Sequence, residues 1–337
     1  MDQGVPARPP SCWVISDGKA GIEIQCRGLA EALGFEPVIK RIKIRAPWRW
    51  LPPRFWRDPL AALQVEGNGG GDRLMPPWPD VMIGTGRLAV GPNLAIRRAS
   101  GGRTFSVQVQ DPKVALDNFD VVVAPAHDRL RGPNVIETRG SLHGLTDAKL
   151  AAAAARFAAA VEHLPRPRVT VLIGGNSRTH RLTRRNARNL ARDLARLARE
   201  SGAGLLVTPS RRTGPETLAI LREGLAGLPT AFWDGSGENP YLGYLALADA
   251  FVVTGDSVNM ICEAAFTGKP VHIAEITGGT PKFRRFHRAM REAGVTRPFE
   301  GVLGRWSYEP LNETVSVAAE IRRRMPARCK AMAVPAA

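Results

Sequence analysis

The sequence predicts an α/β chain of two doubly wound, Rossmann-like domains facing an interdomain cleft. Three observations carry this. Strand and helix patterns alternate along nearly the whole chain; the alternation breaks at "PRPR" (165–168) and then restarts; and the polar, often glycine-containing loops follow apolar strands. Length agrees, since 337 residues are long for one core and fit two domains of roughly 150 to 170 residues each. The division falls between residues 164 and 165.

In the first half, "SCWVISDGKAGIEIQCRGLAEALGFEPVIKRIKI" reads as strand, glycine-containing loop, helix and strand, with Cys26, Leu29, Ala30 and Leu33 on the helix's apolar face. "PDVMIGTGRLAVGPNLAIRRASGGRTFSVQVQD" repeats the unit around Gly84 and Gly86, and "FDVVVAPAHD" adds a strand ending at His127 and Asp128. The alanine-rich "DAKLAAAAARFAAAVEHL" is helical and stops at the prolines. From Val169 the series runs "VTVLIGG", a long helix from Thr183, "GLLVTPS", a helix, "TAFWD", a helix, and "VVTGDSVNMICEAAFTGKPVHIAE" as strand, corner, short helix, turn and strand. Ligands in such sheets bind beyond the carboxyl ends of the strands, where "SDGKAG", "GTGR", "PAHD", "GGNSR", "PSRRT", "DGSGENPY" and "GDSVNM" all lie.

Composition narrows the classes. With 44% hydrophobic and 23% charged residues the chain is globular, and 47 Lys and Arg against 31 Asp and Glu give +16, a charge that draws anionic partners: phosphates, a lipid surface or nucleic acid. Nucleic acid ranks third, because no reader module or base-stacking pattern accompanies the charge. Cys12, Cys26, Cys262 and Cys329 have neither disulfide-framework nor zinc-ligand spacing, so no metal is expected. The sequence shows neither a leader peptide nor a run of about 18 apolar residues, so a cytoplasmic protein, at most peripheral on the inner membrane's cytoplasmic face, is expected.

Neither "SDGKAG" nor "TGKPV" is a P-loop, because Lys19 and Lys269 are not followed by Ser or Thr, and "GTGRLA" lacks the third glycine of the dinucleotide fingerprint. "GGNSR" is more informative. Gly174 and Gly175 allow close approach of a phosphate, and Asn176, Ser177 and Arg178 add donors; the same residues also make an ordinary tight turn. Ser210, Arg211 and Arg212 end the next strand, where an arginine could neutralise a diphosphate. On a helix beginning near Ser257, Val258, Ile261, Cys262 and Ala265 form the packed face, leaving Asp256, Asn259 and Glu263 on the available one. Asp256 and Glu263 are seven residues apart, roughly 10 Å along the axis, which is too far for a carboxylate pair. Glu263 is therefore assigned to hydroxyl recognition, such as a ribose, and proton transfer to Asp17, His127 or Asp128. Gly18, Lys19, Gly84, Gly86, Arg87, Glu238 and Asn239 complete the candidate binding loops. Two basic features remain. "KRIKIRAPWRWLPPRFWRDPLAAL" interleaves Arg54 and its neighbours with Trp48, Trp50 and Trp56, which suits either anionic headgroups and acyl chains or a loop packing inward. Arg184, Arg188, Arg192 and Arg196 make a stripe opposite Leu190, Leu194 and Leu197, the pattern of a solvated face.

Taken together, "SDGKAG" with Gln25, "PDVMIGTGR", "VQVQDP", "PAHD", "VLIGGNSRTHRLT", "VTPSRRT", "DGSGENPY", "VVTGDSVNMICEAAFTGKPV" and "WSYEPLNET" resemble the bacterial relatives of the plant "elongated mitochondria" fission family, often described as glycosyltransferases. More remotely the layout looks like the GT-B fold of the lipid-linked peptidoglycan glucosaminyltransferase. That resemblance implies a nucleotide-sugar donor, UDP-type first, with no tightly bound cofactor. It places Glu263 at a ribose and Ser257 near phosphate, with Arg178, Arg211 or Arg212 meeting the leaving charge. It also implies that 311–337, including "PLNETVSVAAEIRRRM", crosses back onto the first domain. Family members commonly have His where Ile22 stands, so that base candidate is missing here. The expected function is metal-independent glycosyl transfer to a lipid-linked or envelope acceptor at the membrane; the alternative is a non-catalytic protein recruiting a partner to a membrane, as the plant relatives do in mitochondrial division.

Overall fold

The computed structural model describes residues 9–65 and 70–329, which fall into two compact units, one of residues up to Gly144 together with those from Glu313 onward and one of Leu145–Asn312. In the first unit β1 (Cys12–Ser16), α1 (Ala20–Ala32), β2 (Val38–Arg41), β3 (Val81–Thr85), α2 (Gly86–Ala99), β4 (Phe105–Val109), β5 (Val121–Pro125) and β6 (Val135–Thr138) build a six-stranded sheet in the order β2-β1-β3-β4-β5-β6, every pair parallel. The inner strands are largely buried because helices cover parallel sheets on both faces. Val81, Met82 and Ile83 of β3 are accordingly all buried. The chain winds to one side of β1 through β2 and to the other through β3, so the loops after β1 and β3 flank the switch point.

The second unit contains α3 (Asp147–Val161), β7 (Arg168–Ile173), β8 (His180–Arg181), α4 (Arg184–Ser201), β9 (Gly204–Pro209), α5 (Pro215–Gly224), β10 (Thr230–Phe232), α6 (Tyr241–Leu247), β11 (Ala250–Thr254), α7 (Val258–Ala265), β12 (Val271–Ala274), β13 (Thr277–Gly278), α8 (Pro281–Glu292) and β14 (Thr296–Pro298). Its sheet is parallel in the order β10-β9-β7-β11-β12-β14, while β8 and β13 form a small antiparallel pair. Helix α4 starts at a capping box, in which the Thr183 hydroxyl accepts from Asn186 N and the Asn186 side chain accepts from Thr183 N, and ends at Gly202 with φ +67°. The leucines opposite its arginine stripe enter the core. The sequence division at 164/165 puts the alanine-rich helix with the first domain; α3 packs instead on α6 of the second unit. Gly243 makes this possible, since a side chain there would overlap Phe157.

Helix α9 (Glu313–Arg324) belongs to the first unit. Val317, Ala318 and Ile321 join Leu29, Ala30 and Leu33 in one core, the Glu313 carboxylate accepts from Arg139 N (2.6 Å) and Gly140 N (2.8 Å), and Arg322 donates to the Ala32 carbonyl at 3.0 Å. No helix among the described residues is long and apolar enough to cross a membrane.

Candidate functional site

Because β9, β7 and β11 are neighbours, their carboxyl ends bring three loops together. The centre is Asp256. Its carboxylate accepts from Gly175 N at 3.0 Å and from Thr254 Oγ1 at 2.7 Å, and pairs with Arg212 Nη2 at 2.8 Å. Thr254 Oγ1 in turn accepts from Gly174 N at 2.7 Å, and Ser210 Oγ donates to the Gly174 carbonyl at 2.8 Å. The sequence places Asp256 on an available helix face; it is 5% exposed and precedes the helix, whose N-cap is Ser257, accepting from Met260 N at 3.5 Å. The reason is chemical: a buried carboxylate needs donors, and the amide, hydroxyl and guanidinium around it supply them. The glycines serve that contact. A Cβ on Gly174 would overlap both Asp256 oxygens, and one on Gly175 would overlap the Arg212 carbonyl. The Gly174 and Gly175 amides are thus already hydrogen-bonded within the protein.

The rest of the loop folds on itself. Asn176 N donates to the Arg212 carbonyl (3.2 Å), Asn176 Oδ1 accepts from Leu182 N (2.9 Å), and Ser177 Oγ accepts from Thr179 N and His180 N at 3.2 and 3.1 Å. Arg178 and Arg211 are exposed and have no side-chain partner among the described residues. They are the cations of this loop system that remain available.

Glu263 also departs from the expected available face. It is 8% exposed on α7 and accepts a hydrogen bond from the Tyr241 hydroxyl. Burial pushes its carboxyl up to about 7, with the Tyr241 hydrogen bond acting in the opposite direction. The helix is apolar on the sides flanking Glu263 because Ile261, Cys262, Ala264 and Ala265 all enter the core. Asn259 is half-buried on the same helix. Glu238 pairs with Arg156 at 2.7 Å, and Asn239 Oδ1 accepts from Tyr241 N at 3.0 Å, so both organise the turn that presents Tyr241.

In the first unit the candidate residues are dispersed. Asp17 pairs with Lys19 two residues on, and Gly18 (φ +80°) donates from N to Ser16 Oγ at 3.0 Å. His127 is buried in a one-turn 3-10 segment after β5, beside Asp128. Strands β1 and β5 are three spacings apart, about 14 Å, so Asp17 and the His127–Asp128 pair follow separate strand ends. Gly84 is packed by Asn93, Ala89 and Gln108, and Gly86 (φ +70°) starts α2. Arg87 faces no candidate ligand position: it donates to the carbonyls of Leu51 (2.8 Å) and Arg49 and so holds the basic aromatic segment. That segment divides. Trp56 is core, 6% exposed and donating from Nε1 to Leu51 O at 3.1 Å, and Trp48 packs beside it, whereas Trp50 is 69% exposed with Arg49 5.7 Å over its ring, and Arg54 stacks 4.8 Å over exposed Phe55. Trp56 therefore cannot face a lipid surface.

Sequence reasoning missed Thr254, Tyr241 and His180. Only Tyr241 left a signal, an aromatic hydroxyl three residues from Glu238 in a polar loop.

Two comparisons with solved structures describe the fold. UDP-GlcNAc 2-epimerase from Methanocaldococcus jannaschii superposes with a TM-score of 0.53 at 13% identity, covering 93% of this chain and 99% of that one. The glycotransferase of kitacinnamycin gives 0.53 at 13%, covering 95% and 100%. These likenesses show the GT-B fold, with a Rossmann-like sheet in each unit. In sequence, the mitochondrial fission protein ELM1 of Arabidopsis thaliana is 34% identical over 277 residues, which is 74% of this chain and 65% of the plant protein. Residues 20–325 match the family described as mitochondrial fission ELM1, and the chain belongs to that family.

Proposed function

We propose that this protein binds a nucleotide-sugar, UDP-type first, through its second unit and transfers the sugar, without a metal requirement, to a lipid-linked or cell-envelope acceptor at the cytoplasmic face of a membrane. The observation that carries this reading is the convergence of three strand ends with two arginines, Arg178 and Arg211, that have no side-chain partner among the described residues, and the buried acid Glu263 on α7, the helix that follows β11. Two guanidinium groups suit a departing diphosphate and make a divalent cation unnecessary there. A ribose diol would give the Glu263 carboxylate hydroxyl donors beyond Tyr241. The GT-B fold and the names of the structural neighbours agree with a nucleotide-sugar ligand. Exposed Trp50, Leu51 and Phe55, backed by Arg49 and Arg54, suit an anionic membrane surface.

The dispersal of Asp17 and His127 favours a second reading, a non-catalytic protein that keeps the donor fold and recruits a partner to a membrane. One assay separates the two. Incubation with UDP-hexose and UDP-N-acetylhexosamine donors and vesicles carrying polyprenyl-linked acceptor should release UDP, at a rate unchanged by a chelator. Nucleotide binding with no release from any donor would overturn the transferase reading in favour of the recruiter. Flotation with anionic vesicles should weaken in Trp50→Ala/Phe55→Ala; equal flotation would remove this face from the membrane role.

A further inference from the structure

Beside α8 the second unit contains a cavity of about 350 Å³ that the reading above does not use. Arg284, Arg288 and Arg291 from α8 and Arg297 from β14 line it with His180 and His287, and Glu275 is the one carboxylate among its lining residues. Arg284, Arg288 and Arg291 are spaced i, i+4, i+7 on one helix face, where like charges repel. None of the three has a side-chain hydrogen bond or ion pair among the described residues. This contrasts with other arginines of the same unit: Arg184 pairs with Glu216, Arg196 donates to the Glu300 carbonyl and Arg212 pairs with Asp256.

A second observation is independent of the arginines. His180 is 5% exposed, its Nδ1 lies 3.0 Å from Thr179 Oγ1, and its Nε2 has no partner among the described residues. That nitrogen faces the glycine turn, since a Cβ on Gly279 would lie 3.6 Å from it. The ring is held edge-on to Phe283 at 4.5 Å, and His287 is fixed by donating from Nε2 to the Gly255 carbonyl at 2.7 Å. With Nδ1 engaged by Thr179, Nε2 is the ring nitrogen that a ligand in the cavity can reach.

We infer that this cavity between α8 and β14 is a binding site for a phosphate ester, of diphosphate charge. Four guanidinium groups against one carboxylate call for more than a single negative charge, and the planar donors of arginine match phosphate oxygens in pairs. The volume lies at the small end of the range for ligand pockets, which suits a diphosphate. The inference does not depend on sugar transfer. The phosphate could be carried by a soluble nucleotide or by a lipid headgroup.

The test is calorimetric titration of the full chain with pyrophosphate at low salt. Saturable binding is expected in the wild type, weakened about ten-fold or more in Arg288→Gln/Arg291→Gln, with an unchanged melting temperature because both side chains are exposed and have no partner among the described residues. His180→Gln should weaken it independently. Displacement of pyrophosphate by UDP would identify the soluble source. Phosphatidic acid vesicles bound by the wild type and not by the double variant would identify the lipid source. No uptake of pyrophosphate at millimolar concentration, or equal uptake by wild type and double variant, would overturn the assignment.

Discussion

After β1 the chain turns at Gly18, with φ +80° and nothing within 4 Å of where a side chain would sit. After β7 it turns at Gly174 and Gly175, where a side chain would strike Asp256 or the Arg212 carbonyl. Both loops follow a parallel strand, and in sequence both look equally suited to a phosphate. In the first, glycine answers a backbone conformation, and the loop's charges, Asp17 and Lys19, neutralise each other. In the second, glycine answers a close approach, and the anion that comes close is the protein's own carboxylate. A glycine-rich loop thus reports that something touches the backbone, without saying what.

The largest effect should come from removing that anion. Asp256→Ala leaves Arg212, the Gly175 amide and Thr254 without their acceptor and should cost about 3 kcal/mol in urea unfolding. A loss below about 1 kcal/mol would show that the carboxylate does not organise the loop, and the two turns would then be alike after all.

Next comes the neighbouring acid, Glu263. Its carboxyl is raised from 4.5 to about 7 by burial, so the folded state holds a proton that the unfolded state has released between those values. Stability should be fully present below pH 4.5 and fall as pH rises to about 7, by roughly 3 kcal/mol if this group acted alone. Glu263→Gln should remove this component from a pH series of melting curves. A variant with the same pH slope as the wild type would mean that Glu263 is ionised and solvated.

The direct comparison of the two turns is smaller. Gly174→Ala should cost about 2 kcal/mol through overlap with Asp256, against about 1 kcal/mol for Gly18→Ala, where only the positive φ is strained. In Gly174→Ala/Asp256→Ala the two losses should be less than additive, since the second change removes what the first collides with. Strict additivity would break the explanation. Smallest of all, Arg178→Gln and Arg211→Gln should change stability by no more than about 0.5 kcal/mol while weakening nucleotide binding; a larger loss of stability would mean that these side chains have structural partners.

The fold was legible because hydrophobic period and loop position are properties of short stretches. β1, α1, β3, α2, β7, β11 and α7 all lie where the alternation of strand and helix puts them. The site was less legible for a physical reason. Whether Asp256 faces solvent depends on Gly175 and Arg212, which are distant in sequence and adjacent only because β7 lies between β9 and β11. Helical spacing likewise puts Glu263 opposite one packed face, but it cannot show that Tyr241 covers the other. Trp50 and Trp56 sit in one basic aromatic run yet are 69% and 6% exposed, and Arg87, from another element, holds the Arg49 and Leu51 carbonyls on either side of Trp50. The α8 arginines carried a readable signal in their i, i+4, i+7 spacing, yet the cavity is what distinguishes them from the largely paired stripe on α4.

The most direct test of a donor site in the second unit is calorimetric titration of the full chain with UDP, for the wild type and for Glu263→Gln. Saturable binding by the wild type, weaker by about ten-fold in a variant that remains folded, is the predicted result. No heat of binding from UDP, or from GDP, ADP and CMP tried in its place, would contradict the nucleotide-sugar reading.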